Sequence, residues 1–203
     1  MRQFPRPIAG YVGGIHKWLD QRLIADVASC LPQVSFVLIG PHQTDVSRLK
    51  RIPNIHLLGE RSHEQIPYYV RAFDVSLIPY AISSYTDNVY PTKLNEYLAM
   101  GKPVVSTNLK EIRNFNRLNG GIIRVGMDSR QFARDVEVAV REDGEELYFA
   151  RIAAAGQNSW QKRIERMSKL IQDRLEVIER SAEKSWEERL LTFYRGSRRR
   201  IAI

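Results

Sequence analysis

The feature that most constrains this chain is an alternation. Short apolar runs ending in glycine or proline are separated by segments whose apolar residues recur at helical spacing. The runs are residues 8–12, 34–39, 55–58, 75–78, 104–106 and 122–125. Between them Trp18, Leu23, Val27 and Leu31 keep a helical period, as do Ile66, Val70 and Phe73, and Phe132, Val136 and Val140. Strands that are almost continuous Val, Ile and Leu bury both faces, and the alternating helices supply the cover. The expected fold is α/β, a Rossmann-like doubly wound parallel sheet. In such a sheet a ligand lies beyond the carboxyl ends of the strands, where strand order reverses, so the loops after the strands are where function is expected.

From about residue 150 no further strand follows. Helical stretches are predicted at 158–178 and 182–194, with Gly196 breaking the second before a basic tail, "RGSRRRIAI". The expected division is a Rossmann-like domain over residues 1–157 and C-terminal helices with a basic tail over 158–203. Both stretches hold a Ser-Trp pair followed by an arginine, in "SWQKRIERM" and "SWEERLLTF", but two copies are too few to build a solenoid.

The 203 residues carry a net charge of +8, unevenly placed: residues 156–203 hold +5 of it. That excess favours anionic partners without choosing among phosphate, nucleic acid and lipid. Cys30 is the single cysteine, which excludes an intramolecular disulfide and a cysteine-cluster metal site and fits a reducing, cytoplasmic setting. It continues the apolar stripe of the first helix and is expected in the core. The four histidines show no metal-ligand spacing. The N-terminus lacks the apolar stretch of a signal peptide, and no apolar run reaches the ~20 residues needed to span a bilayer. Contact with a membrane surface stays open.

Two loops carry chemistry. In "IAGYVGGIHKWLD", residues 8–20, a strand is expected to enter Gly13-Gly14 and lead into a helix, so that amides and a helix N-terminus could face an anion. The spacing is neither G-x-G-x-x-G nor a P-loop, and a plain tight turn is the competing reading. His16 and Lys17 stand beside it. In "NVYPTKLNEYLAMGKPVVST", residues 88–107, Pro91 suits the start of a helix, Gly101 its cap, and Pro103 forbids its continuation. The first free amides would be those of Thr92, Lys93 and Leu94, a seat for phosphate to which the Lys93 side chain adds a full charge. Glu96, one turn in, could accept two hydroxyl hydrogen bonds from a ribose; the bland reading is a solvated acid at a helix start.

The segment "PTKLNEYLAMGKPVVST" also resembles the nucleotide-sugar-binding segment of bacterial group 1, retaining glycosyltransferases of the GT-B fold, whose pattern here is P-x-K-x-x-E-Y-x-A-x-G-K-P-V-V. The resemblance continues through "YVGGIHKWLD", "VSFVLIGP", "NIHLLGER" and "AFDVSLIPY", covering about residues 8–160. It implies the C-terminal, donor-binding half of that fold. Gly13 and Gly14 would approach the donor phosphates, Gly59, Glu60 and Arg61 would border the base, and Thr92, Lys93, Leu94 and Glu96 would hold diphosphate and ribose. Lys17 loosely matches a phosphate-neutralising basic residue. Many relatives carry a glutamate eight residues before the ribose-binding one, where this chain has Asn88; an amide can hydrogen-bond a sugar but supplies no charge.

The implied reaction passes a sugar from a nucleoside diphosphate sugar to an acceptor hydroxyl on a glycan or lipid-linked acceptor, with Lys93 and Lys17 stabilising the departing diphosphate. With no Asp-x-Asp triplet in the chain, metal independence is expected. The GT-B fold has two Rossmann-like halves, and the acceptor-binding one is not found in this sequence. An N-terminal-domain partner chain is therefore one expectation, and a non-catalytic nucleotide-sugar-binding module acting with a partner polypeptide is the alternative function. Arg198, Arg199 and Arg200 read as a solvated tail, and no nucleic-acid-binding motif is present. Lys and Arg on the terminal helices, with Trp160, Trp186 and Phe193, could instead meet an anionic membrane surface from the cytoplasmic side.

Overall fold

The computed structural model of the chain describes residue 1 and residues 3–198. Among these residues six strands form one all-parallel sheet: β1 (Ile8–Val12), β2 (Ser35–Ile39), β3 (Ile55–Gly59), β4 (Val75–Ile78), β5 (Val104–Thr107) and β6 (Arg124–Gly126). Their order is β3-β2-β1-β4-β5-β6. The chain moves outward from β1 on one side, then returns to start again at β4, so the reversal of a doubly wound sheet lies between β1 and β4. β2 and β4 are buried along their whole length, whereas the edge strand β3 is half-buried after its first residue. Burial on both faces is why the inner strands read as unbroken apolar runs.

Helices α1 (Gln21–Cys30), α2 (Ser47–Lys50), α3 (Ile66–Arg71), α4 (Lys93–Ala99), α5 (Lys110–Leu118), α6 (Ser129–Arg141) and α7 (Glu145–Gln157) connect and cover the strands. α1 packs with α2 and α6, and α4 packs with α7. α1 is apolar on one side through Leu23, Ile24, Val27 and Ala28, all buried, and starts where the Asp20 carboxylate accepts from the Leu23 amide at 2.9 Å. Cys30, expected in the core, is exposed at its last turn. α5 and α7 have no counterpart in the sequence reading.

α4 ends at a glycine with a left-handed φ of +67°, Gly101, whose carbonyl accepts from the buried Arg151 side chain of α7 at 2.9 Å. Arg151 also pairs with Asp143 at 2.6 Å, so its charge is not left alone in the interior. α7 thereby braces the C-terminal end of the helix that carries Lys93.

By internal contacts the chain divides into two units, residues 1–157 and 158–203. In the second, the expected pair of helices with a break at Gly196 is replaced by one helix, α8 (Trp160–Arg198), of 39 residues. A single glycine costs a helix only about 1 kcal/mol, which its neighbours can outweigh. Arg199 and Arg200 of the basic tail lie outside the described residues. Among the described residues no helix is long and apolar enough to cross a membrane.

Close packing at the strand core gives one test. A Cβ at Gly10, in the middle of β1, would stand 2.2 Å from the Phe73 ring. Phe73 is fully buried and has little room to withdraw. Gly10→Ala is expected to cost about 1–3 kcal/mol of stability through overpacking, measured by urea denaturation; an unchanged midpoint would contradict the packing described.

Candidate functional site

The loop after β1 is set by backbone pairing. Gly13 donates to the Ile39 carbonyl at 2.8 Å, Ile15 to the Pro41 carbonyl at 2.9 Å, and Gln43 back to Ile15 at 3.0 Å. On the other side Asp20 donates to Pro79 at 2.9 Å and Ala81 to Trp18 at 2.8 Å. The loop is therefore sewn between the loops that follow β2 and β4. The expected strand, glycine pair and immediate helix is corrected here: α1 begins only at Gln21, and its N-terminus is capped by Asp20, a carboxylate that occupies the place an anion would take. What Gly13-Gly14 offers is backbone, and the Gly14 amide has no partner among the described residues.

Three glycines let these loops touch. Gly13 has φ +143° and Gly40, after β2, has φ +148°. A Cβ on Gly40 would sit 2.1 Å from the Gly13 carbonyl oxygen, and one on Gly14 would sit 2.5 Å from Oε1 of Gln43. At Gly40 the obstacle is backbone, so no side chain larger than hydrogen fits there, whereas at Gly14 the exposed Gln43 side chain could swing away.

α4 reaches this loop from the far side of the strand reversal. Tyr97, fully buried, accepts from the Val12 amide at 2.8 Å and so ties α4 to the end of β1. One turn earlier Lys93 runs beneath Gly13: a Cβ there would meet Lys93 Cε and Nζ, each at 3.1 Å. The ammonium is hydrogen-bonded to the Tyr80 hydroxyl and lies 5.0 Å from the ring centre of Tyr80 and 5.3 Å from that of Tyr11. Tyr11 is on β1 and Tyr80 follows β4, so the lysine stands between the two strands where the sheet reverses. Burial pushes the hydroxyls of Tyr11 and Tyr97 well above the ordinary tyrosine range, so both stay neutral donors at any physiological pH. Tyr11 donates to the Gly14 carbonyl at 3.2 Å.

The magnitudes favour a held but available cation. Each ring contact is worth about 0.5–2 kcal/mol. A charge-assisted hydrogen bond to an anion is worth about 1.5–3 kcal/mol. The ammonium has three N–H groups and gives one to Tyr80, so an anion can be met without displacing the contacts that hold the lysine.

At the start of α4 the amides of Thr92 and Lys93 have no partner among the described residues, but Leu94 donates to the Pro91 carbonyl at 2.9 Å and its side chain is buried. The expectation of three free amides is corrected to two: Pro91 and Thr92 enter the helix through a tight turn that uses the third. Glu96 is exposed in the first turn of α4 and forms no hydrogen bond or ion pair among the described residues.

The other sequence candidates are more scattered. Gly59, φ +69°, ends β3, and its carbonyl accepts from Gly40 at 2.9 Å, which places it beside the glycine loop. Glu60 is exposed, and its carbonyl accepts from Arg61 at 2.7 Å; Arg61 also donates to the Tyr69 hydroxyl at 2.9 Å. Asn88 closes a short 3-10 turn, Thr86–Asn88, and its amide nitrogen donates to the Ser84 carbonyl at 2.7 Å. Lys17 is exposed on a turn, and its side chain has no hydrogen bond or ion pair among the described residues. Its neighbour His16 stacks on Trp18 with ring centres 3.6 Å apart. Among the described residues no group of three or more His, Cys, Asp and Glu could hold a metal ion.

Sequence reasoning missed Tyr11, Tyr80 and Gly40 as parts of this cluster. Tyr11 lies within an apolar run, Gly40 ends one, and Tyr80, among the tyrosines near the expected cleft loops, reads as packing or as a ring for base stacking. Only the spatial order of the strands puts them together.

Comparisons with known proteins point the same way. A family model described as "Glycosyl transferases group 1" matches residues 6–142. TuaH of Bacillus subtilis (strain 168), described as a teichuronic acid biosynthesis glycosyltransferase, is 34% identical over 145 residues, 70% of this chain and 36% of TuaH. Among solved structures, Anabaena HepE in complex with UDP matches with a TM-score of 0.62 at 18% identity, over 81% of this chain and 49% of HepE. Sucrose-phosphate synthase from Thermosynechococcus elongatus matches with a TM-score of 0.66 at 15% identity, over 82% of this chain and 45% of the synthase. The chain thus spans about a third of the curated relative and about half of these structures, and its Rossmann-like unit has the architecture of one half of the GT-B fold.

Gly40 tests the geometry. Gly40→Ala must push against the Gly13 backbone and adopt a φ that L-residues avoid, at a cost of about 1–3 kcal/mol. The expected result is a lower melting temperature with NMR amide shifts concentrated at Gly13, Gly14 and Lys93; shifts confined to residue 40 and its chain neighbours would contradict the contact.

Proposed function

Because this chain belongs to the group 1 glycosyltransferases, we propose that it is the donor-binding half of an enzyme that transfers a sugar from a nucleoside diphosphate sugar to an acceptor hydroxyl. The observation that carries the reading is the place of Lys93: a cation beneath Gly13, between the ends of β1 and β4, where doubly wound sheets bind their ligands.

The donor diphosphate would lie over the Gly13-Gly14 loop and the free amides of Thr92 and Lys93, with the Lys93 ammonium meeting its charge. As the bond to the anomeric carbon lengthens, negative charge builds on the departing diphosphate. A fixed cation and oriented amides stabilise that charge more than they stabilise the intact donor. Glu96, exposed one turn along the same helix, is free to accept from ribose hydroxyls. Gly59, Glu60 and Arg61 would border the base, and Asn88 would contact the sugar through the amide oxygen that Ser84 leaves unused. Lys17 would act as a second, mobile cation. HepE, the structural relative described above, binds UDP in its complex, which supports a uridine donor for this chain.

Binding of the donor is proposed to need no metal, since its charge is met by the chain itself. A lipid-linked or glycan acceptor and an acceptor-binding half, in the same protein or in a partner chain, complete the reaction. A cytoplasmic site of action accords with the single, exposed cysteine. Membrane attachment through Trp160, Trp186 and Phe193 has less support, because the same helix also exposes Glu165, Glu176, Glu179 and Glu187. The second reading, a non-catalytic module acting with a partner polypeptide, is favoured by Asn88, which carries no charge toward the sugar. Release of labelled sugar from the donor distinguishes the two.

Calorimetric titration with UDP and GDP tests the site. Lys93→Ala is expected to weaken diphosphate binding about 10-fold or more, and Glu96→Ala by a smaller factor, from the usual worth of charge-assisted hydrogen bonds. Equal affinity in all three proteins would remove the site. In the same titrations excess EDTA is expected to leave the affinity unchanged; binding abolished by EDTA and restored by Mg²⁺ would overturn metal-independent recognition.

A further inference from the structure

The Lys93 ammonium starts a chain of hydrogen bonds that runs back into the glycine loop. It donates to the Tyr80 hydroxyl, the hydroxyls of Tyr80 and Tyr11 are hydrogen-bonded to each other, and Tyr11 donates to the Gly14 carbonyl at 3.2 Å. Counting hydrogens fixes the direction of every link. An ammonium only donates, so Tyr80 accepts from it. The one hydrogen of Tyr80 is then left for Tyr11, and that of Tyr11 for a carbonyl, which only accepts. Tyr11 is 1% exposed and kept neutral by burial, so the hydrogen that the last link needs stays in place.

The middle of the chain is held firmly. Tyr80 is also buried; its carbonyl accepts from the Thr107 hydroxyl at 2.7 Å, and its backbone bridges to Leu19. A Cβ on Gly13 would stand 2.9 Å from the Tyr11 hydroxyl and 3.1 Å from Lys93 Nζ, so the loop rests on the chain itself.

Holding a lysine in place does not require this much. The ring contacts at 5.0 and 5.3 Å would by themselves keep the cation between the strands. What they do not explain is the far end. The carbonyl that Tyr11 takes belongs to Gly14, the residue whose own amide has no partner among the described residues. A carbonyl oxygen free to swing toward a phosphate would repel it; bound to Tyr11 it is not free, and the amide of the same residue is fixed with it. We infer that Tyr80 and Tyr11 are positioning residues, a hydroxyl relay that fixes the Lys93 ammonium and the Gly14 peptide as one unit for binding the donor diphosphate, an inference that rests on the donor-site reading above. Neither phenol has to touch the diphosphate, since each acts through its neighbour in the chain. The charge on Lys93 polarises the bonds that follow it, so the links strengthen one another and their loss is not additive.

The test is a double-mutant cycle on the 203-residue chain, read by calorimetric titration with UDP. Tyr80→Phe keeps the ring and removes only the hydroxyl; it is expected to weaken UDP binding about 3- to 10-fold, from the usual worth of a hydrogen bond. In a Lys93→Ala background the same change is expected to cost less than about 2-fold, because the cation it positions is gone. A tyrosine with a merely structural role would cost the same factor in both backgrounds, and that result would overturn the relay. So would a Tyr80→Phe protein that binds UDP as tightly as the parent. Tyr11→Phe gives a second measurement that needs no ligand. With both rings retained, it is expected to move the ¹³Cε NMR signal of Lys93 together with the amide signal of Gly14; a change at Gly14 alone would break the chain at Tyr80 and overturn the relay. Weaker UDP binding in Lys93→Ala with none lost in Tyr80→Phe removes the relay and leaves the donor site standing, whereas undiminished binding in Lys93→Ala removes both.

Discussion

The reversal of strand order between β1 and β4 is the constraint on which the site depends. A parallel sheet cannot return its chain by a hairpin, so each connection crosses a face, and at the reversal two connections leave in opposite directions. The ends of β1 and β4 are left uncovered between them. Into that gap the chain places Gly13 from one side and Lys93 from the other, with Tyr11 and Tyr80 holding the ammonium between them.

The position of Lys93 is set by more than its own contacts. α4 is short, and a short helix has little intrinsic stability. Its C-terminal half is fixed twice, by Tyr97 on the Val12 amide and by Arg151 on the Gly101 carbonyl just past the helix. A shift of α7 would therefore reach the site through α4, although α7 lines none of it. The arrangement gives a physical reason for a buried arginine and its aspartate partner far from the strand reversal, where neither contributes to binding.

Legibility in the sequence followed the range of the interactions. The four inner strands were readable because burial on both faces writes itself as an apolar run, and the half-buried edge strands β3 and β6 were found with only a few boundary residues in error. The start of α1 was misread because the pairing of residues 15–20 with the loops after β2 and β4 replaces a turn of helix with extended chain, and that pairing is long-range. The same blindness hid Tyr11, Tyr80 and Gly40. For α8 the expected gap at residues 179–181 holds no helix breaker, and Gly196 alone does not stop the helix.

Sequence alone determined the alternation of strand and helix, the Gly13-Gly14 turn, and the proline and glycine that bound α4. Each is a local property, carried by the residue type and its near neighbours. Tertiary structure decided that Lys93 lies between two tyrosines under Gly13, that Gly40 packs against the Gly13 carbonyl, and that the chain from Ile15 to Asp20 pairs with the loops after β2 and β4. These depend on which strands become neighbours, and strand order is fixed only when the whole sheet packs.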